Sequence, residues 1–201
     1  MRVWHLILLL ISVMIRVIAL CILFITSSCK WKQQQVITPE ESEVSTFFPV
    51  TAFLKGQVFS LQDKGINPLK YTTVDNKTDS AWLKVEEIPG AVAPFLEIKI
   101  DSANLRDTFK ETTFLDQTID AYTFSYDPKV TLPDNYKLRR WDVYVNPETN
   151  RVNRVYIVRK ENDHTTLQLT WQTNKFCKMV YISDSTGKPS IEKEILINWD
   201  F

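Results

Sequence analysis

Residues 165–182 read TTLQLTWQTNKFCKMVYI, and this stretch decides the fold. Leu167, Leu169 and Trp171 recur at every second position, then Thr173 to Lys175 interrupts, and Cys177, Met179 and Tyr181 resume the same period. A period of two is that of a strand with one face buried, since successive side chains point to opposite sides. Two such runs around a short polar break make an antiparallel hairpin.

The pattern extends outward on both sides. Tyr122, Phe124 and Tyr126 alternate, as do Trp141, Val143 and Val145, and Ile195, Ile197 and Trp199. NPETN at 146–150 suits a hairpin loop, with Pro147 leading a turn and Asn150 tolerating a left-handed backbone. Asp184 to Pro189 reads as a further turn. The C-terminal half is therefore expected to be an antiparallel meander with one buried face.

Upstream the period is 3.6. Val50, Phe53, Leu54, Val58 and Leu61 form an apolar stripe behind Pro49, with Gly56 inside it costing about 1 kcal/mol. A turn over Lys64 to Pro68 leads to a strand at Leu69 to Val74, and DNKTD marks a hairpin into a second strand at Ala81 to Glu86. Pro89 and Gly90 break that pattern. Residues 91–112 are expected to be helical in two pieces, with Phe95, Leu96, Leu105 and Phe109 inward and Asp101 or Ser102 capping the second. The fold class expected is α+β: N-terminal helices packed on an antiparallel β-meander sheet, in a single globular domain over 47–201.

The first 46 residues differ in character. Val3 to Ile25 is apolar apart from His5, Ser12 and Arg16. An arginine near the middle of a spanning helix costs roughly 2.5 to 3.5 kcal/mol, which argues against a membrane anchor of that length. Starting instead at Met14, MIRVIALCILFITSSC has a positive residue at Arg16, an apolar run from Val17 to Ile25, and small residues Thr26, Ser27 and Ser28 before Cys29. Translation from Met14 would give each part of a signal peptide in order.

This stretch resembles the signal peptide of bacterial lipoproteins, in the looser form of the Bacteroidota; Thr26 and Ser28 stand where the family prefers Leu and Gly or Ala. The resemblance covers residues 14–29. It implies cleavage before Cys29, a diacylglycerol on the Cys29 thiol and an acylated amino group. Several chains bind a membrane firmly where one of myristoyl length binds marginally, at about 0.8 kcal/mol per buried methylene. Residues 1–28 then form the signal peptide and 29–46, with KWKQQQ and scattered Glu, a flexible tether. The implied location is the cell envelope, at the outer membrane. Surface-displayed members often carry acids after the cysteine; Lys30 here favours a domain facing the periplasm.

Composition excludes several functions. Of 201 residues, losing 28 leaves 173, enough for one domain with a substantial core. Without Arg2 and Arg16, the 24 Lys+Arg become 22 against 24 Asp+Glu, a net charge of −2 and no basic footprint for nucleic acid. Cys177 is then the lone free thiol, so no internal disulfide is possible, and its parity with Met179 puts it in the core.

Chemistry-bearing constellations are sparse. His164, beside Asp163, is the single histidine after the leader, and no nucleophile accompanies it. Zinc ligands are lacking, and DNKTDS lacks the glycine and terminal glutamate of a calcium loop. Asp116 and Asp120 are the best local carboxylate pair for glycoside cleavage. If strand-borne they would stand about 13 Å apart, beyond the roughly 5 to 9.5 Å that such chemistry uses. No metal or cofactor is expected.

Trp141, Trp171 and Trp199 continue apolar strand faces and read as core. Tyr144 and Tyr156 have the opposite parity and are the candidate contacts for a ligand or partner. Ser80, Ser102 and Ser185, each after an aspartate, sit in triplets that resemble the O-glycosylation motif of Bacteroidota; turns and caps explain the same residues. The function expected is a non-catalytic binding or scaffolding domain for an envelope protein or glycan. The alternatives are a periplasmic hydrolase using dispersed carboxylates, and a lipid carrier or chaperone with an apolar cavity in the sheet.

Overall fold

A computed structural model describes residues 47–185 and 187–200. The signal peptide 1–28 with Thr26, Ser27 and Ser28, the acylated Cys29 and the tether to residue 46 lie outside the described residues. The described chain is mostly one nine-stranded antiparallel sheet with a few helices.

Helix α1 runs Val50–Asp63 and buries Val50, Leu54, Val58 and Leu61 along one stripe. It ends on Gly65, whose φ of 65° is cheap for glycine, with Gly65 N–H donating to Gln62 O and Ile66 N–H to Leu61 O. Strands β1 (Leu69–Val74) and β2 (Lys77–Trp82) follow. Asp75 and Asn76 both take positive φ and close a two-residue turn. The second strand therefore begins at Lys77 and not at Ala81, because so tight a turn brings Lys77 opposite Val74 at once.

Residues 91–112 also depart from the expected helices. Pro89, Gly90 and Pro94 restrict the segment to single turns: 3-10 turns at Val85–Glu87 and Ala93–Phe95, and four-residue helices α2 (Ile88–Ala91) and α3 (Ser102–Leu105). Asp101 is the cap, its carboxylate accepting from the N–H groups of Ala103 and Asn104. Phe95, Leu105 and Phe109 are buried as the sequence pattern requires, but Phe109 opens a strand.

The remaining strands are β3 (Phe109–Asp116), β4 (Ala121–Pro128), β5 (Leu138–Val145), β6 (Val152–Lys160), β7 (Thr165–Gln172), β8 (Phe176–Ser183) and β9 (Ser190–Asn198). Each pairs with the next, and β9 returns beside β1, giving the order β2-β1-β9-β8-β7-β6-β5-β4-β3. Asn150 (φ 53°) and Asn174 (φ 61°) carry the strained turn positions between β5 and β6 and between β7 and β8.

One face of the sheet supplies the core. Trp141, Val143, Val155, Ile157, Leu167, Leu169, Trp171, Cys177, Met179, Ile195 and Ile197 share a single cluster with the buried stripe of α1. Cys177 is fully buried, and burial pushes its thiol up out of the range where a thiolate forms readily. The indole N–H groups of Trp141, Trp171 and Trp199 meet no acceptor among the described residues, so these rings act there as apolar bulk. Tyr122, expected on the buried face, is 41% exposed because the β3–β4 hairpin runs past the core.

Candidate functional site

The strand β5, LRRWDVYV, sends Trp141 and Val143 into the core and thereby Arg140, Asp142 and Tyr144 to the opposite face. On β6, Val155 and Ile157 point inward and Arg154 and Tyr156 outward. Register then brings the outward sets together: Tyr144 lies opposite Arg154, Asp142 opposite Tyr156, and Tyr156 opposite Thr170 of β7. Arg140, Asp142, Tyr144, Arg154, Tyr156 and Thr170 line one pocket of about 430 Å³. The two tyrosines chosen from parity alone thus line the same pocket.

Its polar groups are largely held in place. Arg140 Nη2 donates to both carboxylate oxygens of Asp142, at 2.9 and 3.0 Å. The Asp142 side chain is 4% exposed, so this contact is its main compensation for leaving water, and it holds the Arg140 guanidinium above its ordinary value. Arg154 lies 5.5 Å from the centre of the Tyr144 ring and donates from Nε to Gln172 Oε1 at 2.9 Å. Arg154 forms no ion pair among the described residues. Burial raises both Tyr144 and Tyr156, and the Asp142 carboxylate adds to it, so both phenols keep their protons at neutral pH and can donate.

A guanidinium with donors to spare, two phenol rings, a hydroxyl and a fixed carboxylate can stack on and hydrogen-bond a polar ligand. The arrangement contains no nucleophile next to a base. Arg140, Asp142, Arg154 and Thr170 were not singled out by the sequence reading. The signal for the first three was present, for Asp142 and Arg154 stand two residues and Arg140 four residues from Tyr144 or Tyr156, and so share a face with it; Thr170 depends on register between strands.

The other sequence candidates lie apart. Asp116 ends β3 and its carboxylate accepts from Thr118 N–H, while Asp120 sits in the turn at φ 47°. They flank a tight hairpin and do not lie along one strand, so the 13 Å spacing does not apply. His164 Nδ1 stands 3.7 Å from Asp184 Oδ1, with both side chains mostly exposed. Ser80 is exposed on β2, at one edge of the sheet, and its N–H donates to Asp79. Ser102 is the first residue of α3. Ser185 is exposed, and its hydroxyl accepts from that of Ser183.

Among the described residues no group of three His, Cys, Asp or Glu side chains could hold a metal ion, and no helix is long and apolar enough to cross a membrane. Compared with known proteins, the chain matches no family model, no curated protein and no solved structure.

Proposed function

We propose that this protein is a lipid-anchored lipoprotein of the bacterial cell envelope whose domain binds a glycan and performs no chemistry on it. Acyl chains on Cys29 hold it in the outer membrane, the tether spaces the domain from the surface, and the domain faces the periplasm. In this reading the N-terminal helices pack over one face of the meander and leave the other for the ligand; shared burial of Leu54 and Val58 with Leu169 and Trp171 supports it.

The observation that carries the binding role is the convergence of Tyr144 and Tyr156 with Arg140, Asp142 and Arg154 in one pocket. Ring faces suit the apolar faces of a sugar, while guanidinium and carboxylate suit its hydroxyls or an acidic substituent. Its volume falls within the range of about 300 to 1,000 Å³ typical of small-ligand sites.

Two measurements test the proposal. The N-terminal peptide from the native bacterium should begin at Cys29 with acyl mass, and Cys29→Ala should abolish that form; an unmodified Met1 or Met14 start would overturn the anchor. Binding of envelope oligosaccharides to wild type and to Tyr144→Ala/Tyr156→Ala should differ at least about tenfold. No binding by wild type, or equal binding by both, would overturn the glycan reading.

A further inference from the structure

The core face of the sheet carries a second pocket near its β3 edge. Phe47 and Phe48, leading into α1, approach Phe124 and Tyr126 of β4, and with Glu111 of β3 they line a space of about 520 Å³. Glu111 faces Tyr126 directly across the β3–β4 ladder. The Tyr126 ring is fixed from three sides. It stacks on Trp141 at 4.5 Å between centres and 7° between planes, Phe47 meets it edge-on at 5.0 Å, and its hydroxyl accepts the N–H of Phe48 at 3.2 Å. The Glu111 carboxylate accepts from the Thr113 hydroxyl at 3.4 Å.

Glu111 is the one charged residue among the described residues lining this pocket, and it forms no ion pair among them. A carboxylate beside the half-buried rings of Phe48 and Phe124 gives the pocket a negative potential, because ring faces are negative as well. We infer that this pocket binds a small organic cation bearing a quaternary ammonium group. A primary ammonium carries three donors, is strongly hydrated and would need three acceptors, whereas Glu111 already accepts from Thr113. A quaternary nitrogen has no donors, so ring faces and one carboxylate suffice for it. A fatty acid is disfavoured by repulsion between its carboxylate and Glu111. This site is separate from the Tyr144–Tyr156 pocket and does not rest on the glycan reading.

The test uses the full-length protein with choline and its neutral isostere 3,3-dimethylbutan-1-ol, each titrated by ligand-detected NMR. Choline should bind at least about tenfold more tightly than the isostere, from cation–π and carboxylate attraction together. Glu111→Gln should weaken choline about tenfold and leave the isostere unchanged, with Tyr156→Ala altering neither. Phe124→Leu, which keeps apolar bulk and removes one ring face, should also narrow the preference for choline. Failure of wild type to bind choline, equal binding of choline and isostere, or an unchanged preference in both pocket variants would overturn the inference.

Discussion

Arg159 offers a quantitative test of how the sheet is joined to the turns that precede it. Its side chain is 2% exposed and points from the core face of β6, with Nη1 donating to Glu97 and Nη2 to Glu161 at 2.8 Å. Its Nε has no acceptor among the described residues. The carboxylates are 45% and 39% exposed, so water already shares in stabilising them and each single pair is worth about 1 to 1.5 kcal/mol. Removing both partners, in Glu97→Gln/Glu161→Gln, leaves a buried cation without a counter-charge and should cost about 3 to 5 kcal/mol. Arg159→Met removes the charge itself, and Glu97 keeps Lys137 at 2.8 Å, so that variant should cost less than about 2 kcal/mol. With an m-value of about 2 kcal/mol per molar urea, the double variant should lower the midpoint by about 2 M and the Met variant by under about 1 M. The hydrogen bond from Lys137, and next that from Arg159, hold Glu97 below its ordinary value of 4.5. A lowered folded value gives stability that is complete above the ordinary value and is lost as pH falls through the lowered one, so Glu97→Gln should flatten the acid limb of the midpoint-against-pH curve. A double variant no less stable than Arg159→Met would refute the argument.

Further outcomes follow from other sites. Gly56 is exposed inside α1, and an added Cβ would meet no atom within 4 Å, so Gly56→Ala should stabilise by about 0.5 to 1 kcal/mol in urea unfolding. Leu54→Ala empties a fully buried position on the same helix and should cost about 3 to 5 kcal/mol, read as a fall in calorimetric midpoint. Cys177 should resist iodoacetamide in native protein at pH 8 and react once urea unfolds it, as site-resolved mass spectrometry would show; rapid native labelling would contradict its burial.

Much of the sheet was legible because a strand with one buried face writes its orientation into alternate residues. Leu167, Leu169 and Trp171 are all buried, and Cys177 and Met179 oppose Trp171 and Leu169 in register. The segment 91–112 was misread for a physical reason: Phe95, Leu105 and Phe109 are spaced as helix residues would be, but prolines and an aspartate cap divide the backbone into single turns. Apolar spacing reports only that a residue is buried; it does not report how the chain brings it there. The hairpin boundary failed similarly, since a turn of two residues at positive φ is shorter than the polar run DNKTD that announces it. Cross-strand partners such as Thr170 were not legible, because register is set by turn lengths far from the residue concerned.

The two pockets follow from one constraint. A sheet that satisfies its core on one face has no energetic need for arginines and tyrosines to converge on the other, where water would accept them singly. Asp142 nevertheless is buried there and is held by Arg140 alone among its ion partners, a costly arrangement to maintain at a merely solvated surface. Glu111 is the counterpart on the core face: a carboxylate among rings where an aliphatic residue would pack with less loss of hydration. Glu111 breaks the apolar pattern of the core face of β3, and Asp142 is buried on the outward face of β5, where Arg140 and Tyr144 are at least partly exposed; neither feature is required by the fold. Sequence positions that break patterning without a structural return are those at which recognition is the remaining explanation, and Asp142 and Glu111 are therefore the residues whose substitution should alter binding while leaving the meander intact.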